Sequence, residues 1–273
     1  MLPHPKCFSL QSKPKEDKKM IVVRSLIFNV VFYSHMVTLL IVGLPALLMP
    51  RRAVYLLGRT WARNSLWLLE KICNTRVEFR GFDKLPKSPY IVASKHQSMW
   101  ETFALIMMFD DFCYILKKEL TYIPFFGWYL WKADQIAIDR SKGSSVLTQI
   151  EMQARNTFAQ GRTLFIFPEG TRRPAGAPPK YKFGIAHIYS ACNVACVPIA
   201  LNSGLFWARR SWIRRPGTIV VEALDPIHPG VEQIEFFESV QLSIETATNK
   251  LMDEAVEIDP SLDVIVSRNR NVP

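Results

Sequence analysis

Three places in this 273-residue sequence put reactive side chains just past a short apolar run. The first reads Ser94-Lys95-His96-Gln97-Ser98-Met99-Trp100-Glu101. Imidazole is the one side chain whose ordinary pKa lies near neutrality, so a turn carrying His96 is suited to general-base work. Glu101 follows five residues on. Along a continuous helix five residues turn through about 140°, which would part the two side chains. With His96 in the loop and Glu101 in the first helical turn, the carboxylate folds back, orients one ring nitrogen and stabilises the imidazolium that forms. Ser98-x-x-Glu101 is equally a capping box, in which Glu101 bonds only the Ser98 backbone. The spacing leaves both readings open.

The second place is Phe167-Pro168-Glu169-Gly170-Thr171-Arg172-Arg173. Pro and Gly force a tight turn that exposes amides, with Glu169 and Arg172 expected to project into the same crevice. A guanidinium there would grip a phosphate with two parallel hydrogen bonds. The third, Val197-Pro198-Ile199-Ala200-Leu201-Asn202-Ser203-Gly204, reads as an ordinary strand end.

Alternating elements must position these groups. After Asn74, short apolar runs predict strands over 76–80, 90–94, 112–116, 135–139, 163–167, 195–201 and 218–224. Helix-period stretches predict helices over 98–109, 144–160, 182–191 and 236–256, the second of these stopped by Gly161 as a left-handed cap. Such alternation predicts an α/β fold, a mainly parallel sheet of about seven strands covered by helices, with ligands beyond the strands' carboxyl ends.

Taken in order, the blocks resemble a known family. His96-x4-Glu101, then Lys117-Lys118-Glu119-Leu120 with Pro124, Gly127 and Ile138-Asp139-Arg140, then Phe-Pro-Glu-Gly-Thr-Arg at 167–172, then Val-Pro-Ile-Ala at 197–200 are similar to the four ordered blocks of the glycerolipid acyltransferases. The bacterial 1-acyl-glycerol-3-phosphate acyltransferases are the branch resembled, over about residues 75–225. One position departs from the pattern: Glu101 stands where the family usually has Asp.

The resemblance implies that His96 takes the proton from an acceptor hydroxyl, with Glu101 orienting it, and that the hydroxyl attacks an acyl thioester directly. It assigns Glu169, Gly170, Thr171 and Arg172, with Lys118 and Arg140, to binding the phosphate-bearing acceptor. The implied donor is acyl-CoA or an acyl-acyl-carrier protein and the implied acceptor a lysophospholipid, with another lysolipid, such as a lyso-amino-acid lipid, as the alternative. No cofactor and no metal are expected.

Ahead of this part lies a different composition. Residues 25–49 contain no Asp, Glu, Lys or Arg and end at Pro50-Arg51-Arg52. As helix this run would extend about 37 Å, enough to cross a bilayer with tilt. It is longer than the apolar region of a secretory signal, which spans about 7–15 residues, and lacks a small-residue cleavage site. Basic residues flank both ends, so charge gives no clear orientation. A re-entrant or interfacial hairpin fits better, bent at Gly43 and Pro45 and returning through an amphipathic helix over 53–73 that carries Trp61 and Trp67. Residues 1–73 are therefore expected to be a basic N-terminus with membrane-associated helices, and 74–273 the α/β domain, held at the cytoplasmic face of the inner membrane.

With 34 Lys and Arg against 24 Asp and Glu, the chain carries a net charge of +10, which favours anionic partners, an anionic membrane surface among them. No nucleic-acid motif accompanies it, so nucleic acid is not expected as a partner. A hydrolase would need a nucleophile elbow, and no Gly-x-Ser-x-Gly is present. The five cysteines, at 7, 73, 113, 192 and 196, read as reduced thiols. Two aromatic stretches stay open: 123–131 as acyl-chain wall, membrane contact or core, and 206–215, where Trp alternates with Arg, as a surface for membrane, carrier protein or nucleic acid, or a solvated loop.

Overall fold

The computed structural model describes residues 17–139 and 145–270. All seven expected strands form: β1 Thr75–Arg80, β2 Ile91–Ser94, β3 Phe112–Lys117, β4 Ile136–Ile138, β5 Thr163–Ile166, β6 Cys196–Leu201 and β7 Gly217–Ala223. They join one sheet in the order β1-β7-β6-β2-β5-β3-β4. Every pairing is parallel except β6 with β7. Pro198 sits inside β6 without breaking it: its carbonyl accepts from Leu224 N on the β7 side, so the missing N–H falls just before β7 pairing begins at Ile199↔Ala223.

The period of two in the central strands sorts their side chains between two covers. Ile91, Ala93, Leu164 and Ile166 pack under α5 (Ser145–Ala159), α6 (Gly184–Cys192) and α8 (Gln233–Ile258), whereas Val92 and Phe165 belong to a second core with residues of the N-terminal helices and of α3 (Trp100–Ala104). Gly161 has the left-handed φ of +72° expected after α5. The helix expected over 98–109 is α3 continued by a 3₁₀ turn, Leu105–Met108. Three short helices were not expected: α4 (Phe126–Lys132), α7 (Ser203–Phe206) and α9 (Asp263–Arg270).

The N-terminal helices are α1 (Lys18–Val42) and α2 (Arg51–Cys73), joined through Gly43 and a 3₁₀ turn at Leu44–Leu48, as the bend at Gly43 and Pro45 predicts. A methyl group at Gly43 would overlap the Leu57 side chain and the Leu39 carbonyl, so α1 can close on α2 only with glycine there. One face of α1 is core: Phe28 and Phe32 are fully buried, and Phe32 stands 5.5 Å from Trp61, 5.7 Å from Phe103 and 5.5 Å from Trp207. Its other face exposes Leu26, Ile27, Val30, Val37, Ile41 and Val42.

The Trp/Arg stretch is neither a solvated loop nor a free surface over its whole length. Trp207 and Arg214 are buried, with the Arg214 guanidinium 3.9 Å above the Trp207 ring. Arg214 N donates to Ser25 Oγ (2.8 Å) and Arg214 Nη2 to Asn29 Oδ1 (2.9 Å), so this segment clasps α1. Of the described cysteines, Cys113, Cys192 and Cys196 are free thiols, and Cys73 Sγ donates to Arg24 O at 3.8 Å.

Candidate active site

The carboxyl ends of β2, β5 and β6 carry the three sequence blocks to one edge of the sheet. Beyond β2 the chain turns through His96 into α3, and Glu101 in the first helical turn is fully buried. Its Oε1 lies 3.0 Å from His96 Nδ1 and accepts from the amides of Gln97 (2.7 Å) and Ser98 (2.6 Å). Ser98 Oγ accepts in turn from Trp100 N (3.1 Å). The dyad and the cap therefore coexist in one carboxylate oxygen. Because that oxygen already accepts from two amides, the His96 contact is best satisfied by Nδ1–H donating, which leaves Nε2 as the basic nitrogen.

The second oxygen of Glu101 accepts from Ser203 Oγ at 2.9 Å. The third block, expected to be an ordinary strand end, is thus part of the site. Asn202 and Ser203 follow β6 directly, and the neighbouring Gly204 N donates to Gln97 Oε1 at 2.9 Å. A small hydroxyl at a strand end on the ligand edge was the available signal for Ser203.

Beyond β5, Phe167 stacks on the His96 ring at 4.0 Å and 20°, and Tyr114 lies parallel behind it at 6.0 Å and 9°. The Tyr114 hydroxyl is buried, among the described residues has no hydrogen-bond partner, and is pushed well above its ordinary pKa by burial and then by the Glu101 charge. Phe167 thus sets the face of the imidazole while Glu101 sets its edge.

Glu169 differs from expectation. Its side chain is wholly buried, with Oε1 3.0 Å from Lys95 Nζ and Oε2 accepting from His96 N at 3.4 Å. It props the His96 loop and does not line an open crevice. Burial raises its pKa, and the nearby Lys95 ammonium works against that rise. Lys95, itself 2% exposed, also pairs with Glu245 Oε1 of α8 at 2.6 Å, where Tyr181 OH donates at 2.9 Å. An ammonium followed by His96 was visible in the sequence as a lone cation after a buried strand; Glu245 flanks the apolar stripe of α8 and gave no signal.

The rest of the turn is more open. Gly170 takes a φ of +64°, and its N–H closes the turn on Phe167 O at 2.8 Å; the aliphatic end of Lys182 lies over its α-carbon. Thr171 is exposed and Arg172 half-buried. The Arg172 guanidinium makes no hydrogen bond or ion pair with another described residue, while its carbonyl accepts from Arg209 Nη1 at 2.6 Å. The pKa of Arg209 is lowered by burial and by the charges of Arg210, Arg172 and Arg173, which marks a concentration of cations here. Arg173 N donates to His96 O at 2.7 Å and fastens this turn to the histidine loop. Lys118 is exposed at the start of a 3₁₀ turn after β3, with no described contact to the turn, and Arg140 lies outside the described residues.

A buried carboxylate holding a half-buried histidine, beside Arg172 with its guanidinium free among the described residues, at the ligand edge of an α/β sheet, is an arrangement suited to proton transfer on an anionic substrate. An acyltransferase family model matches residues 76–202. The chain is 40% identical to the 1-acyl-sn-glycerol-3-phosphate acyltransferase of Pseudomonas aeruginosa over 175 residues, 64% of this chain and 68% of that one. It is 30% identical to the Saccharomyces cerevisiae protein of the same name, over 55% of this chain and about half (51%) of the yeast one. In fold it is similar to the crystal structure of the 1-acyl-sn-glycerophosphate (LPA) acyltransferase PlsC from Thermotoga maritima, with a TM-score of 0.71 at 20% identity over 85% of this chain and 97% of that one. The chain belongs to the acyltransferase family, as an O-acyltransferase.

Proposed function

We propose that this protein transfers a fatty acyl group from an acyl thioester to the free hydroxyl of 1-acyl-sn-glycerol 3-phosphate, forming phosphatidic acid. The single observation that carries the reading is the Glu101–His96 pair, with Nδ1 engaged and Nε2 basic. His96 Nε2 takes the acceptor hydroxyl proton as the oxygen attacks the thioester carbonyl. Glu101 stabilises the imidazolium, the thiolate leaves, and the imidazolium returns the proton to it. A thioester is already activated, so no enzyme nucleophile is required.

Arg172 is the side chain assigned to the acceptor phosphate: it is half-buried at the site edge and its guanidinium is free among described residues. Thr171 and Gly170 shape the turn that presents it, and Lys118 and Arg140 are assigned a secondary role. Glu169 acts through the His96 loop. The donor is acyl-CoA or an acyl-acyl-carrier protein. Soluble donors of this kind place the reaction at the cytoplasmic face of the inner membrane.

Residues 1–73 are assigned to the membrane and 74–273 to catalysis, although the two share one core through Phe28 and Phe32. Contacts from Ser25 to Leu40 hold α1 along the domain, which favours a helix lying in one leaflet over a span standing clear of the protein.

The test is a product assay with purified protein, lysophosphatidic acid and other lysolipids as acceptors, and both donor types. Phosphatidic acid should form, and His96→Ala should abolish it. Acylation confined to another lysolipid would overturn the assignment.

A further inference from the structure

The segment between β3 and β4 displays aromatic rings outward. Tyr122 is 68%, Trp128 54% and Trp131 81% exposed, with Ile123 and Phe125 also at the surface. The backbone is shaped to do this. Phe125 adopts a φ of +62°, a conformation that costs a non-glycine residue energy and that persists only where the surroundings impose it. Two residues on, a methyl group at Gly127 would overlap the Thr121 carbonyl, so the tight return that launches α4 requires glycine. Of α4's other aromatics Phe126 is half-buried, and Tyr129 is buried and donates to Leu40 O of α1 at 2.9 Å.

That bond fixes the platform against the membrane helix. Leu47, Trp128, Trp131 and Lys132 line one apolar cleft of about 290 Å³, and Leu48 (91% exposed) and Met49, next along the chain from Leu47, are exposed as well. Between 117 and 132 the charges are Lys117, Lys118 and Lys132 against Glu119 alone. Rings with a polar edge, flanked by ammonium groups and tied through Tyr129 to a helix with an exposed apolar face, match the headgroup level of an anionic bilayer. A protein partner would be served by a drier, more enclosed surface than one whose central ring is four-fifths exposed.

We propose that the loop and helix over 118–132 form a second membrane-docking surface, which with α1 seats the protein on anionic lipid and turns the β3 end of the site toward the bilayer that holds its acceptor. This rests on the acyltransferase reading for its purpose, not for its physics. The first loop residues leave β3 at the same sheet edge as His96 and the 168–173 turn, so lipid contact here shortens the path of a lysolipid to the histidine.

The experiment compares the full chain with a Trp128→Ser/Trp131→Ser variant, whose lost rings are exposed and outside the catalytic machinery. Flotation uses vesicles of phosphatidylethanolamine and phosphatidylglycerol in a 7:3 ratio. Turnover is read on long-chain lysophosphatidic acid in those vesicles and on a short-chain analogue free in solution. The variant should bind vesicles about tenfold more weakly and lose a similar factor on the vesicle substrate, yet stay within about twofold on the soluble one. Unchanged flotation would overturn the proposal, as would equal losses on both substrates, which point to an acyl-chain wall. So would a wild-type dimer that the variant dissolves without any change in lipid binding. If the wild type turns over neither substrate, the proposed function fails while flotation still decides the docking surface.

Discussion

Two carboxylates are equally buried, one in the first turn of α3 and one in the turn after β5, and their surroundings divide the labour between them. Glu101 and Glu169 both have wholly buried side chains. Glu101 meets two backbone amides, a serine hydroxyl and an imidazole, donors with no fixed charge. Glu169 meets a lysine ammonium and one amide, with Glu245 competing for the same lysine. A carboxylate ringed by dipoles responds when the imidazole hydrogen-bonded to it becomes charged, which is what a general base needs beneath it. One tied to a fixed cation is already balanced, and its service is geometric: Glu169 and Lys95 join the His96 loop to α8.

The largest effect expected from this division follows removal of the charge that faces the imidazole. In Glu101→Gln the side-chain oxygen can still accept from the Gln97 and Ser98 amides, so the fold should survive with a loss of about 1 kcal/mol or less. Turnover should fall by about two orders of magnitude, because the imidazolium loses its counter-charge. Kinetics and thermal melting on the same preparation separate the two roles. A stable and fully active glutamine variant would reduce Glu101 to a helix cap and erase its distinction from Glu169.

The sequence showed the first carboxylate better than the second for a physical reason. His96, Ser98 and Glu101 interact within one loop and one helical turn, so spacing alone brings them together, and it read two of Glu101's contacts, the imidazole and the Ser98 amide, while treating them as rivals. The strands were equally visible: burial on both faces makes β2, β5 and β6 short apolar runs between turn residues, and the edge strand β1 alternates Val77 and Phe79 with charged residues. Glu169 also lay in a legible turn, but the direction of its side chain depends on Lys95, 74 residues away, and Glu245, 150 residues from that lysine. Ser203 reaches Glu101 across 102 residues, and no local pattern encodes that. The aromatic run 123–131 defeated periodicity for another reason: Phe125, Trp128 and Trp131 face solvent while Tyr129 is buried, so its rings follow no core stripe.

An intermediate effect should come from the open side of the Glu169 turn. Arg172→Lys keeps the charge and loses the planar fork, so acceptor binding should weaken by about 1–3 kcal/mol. The donor's Michaelis constant should hardly move. A rise confined to the donor would transfer Arg172 to the thioester side and leave the acceptor phosphate to the neighbouring guanidinium groups of Arg173 and Arg209.

The smallest effect belongs to Glu169 itself and appears as a pH dependence of stability. Burial holds its pKa above the ordinary carboxylate value, so over the interval between the two the native state binds the proton more tightly than the unfolded chain. Stability from this group is therefore fully present below the unfolded value and is lost as pH rises through the folded one. Glu169→Gln removes that titration while retaining an acceptor for Lys95 and for the His96 amide, and Lys95 keeps Glu245 as its ion-pair partner. Melting temperatures of variant and wild type should lie close together in mild acid, and their difference should move in the variant's favour toward neutrality. Turnover should drop less than in Glu101→Gln, since the histidine keeps its counter-charge. A difference that moves the other way with pH would mean that the Lys95 attraction outweighs burial. Glu169 would then be a stabilising ion-pair partner, and the contrast with Glu101 would rest on position alone.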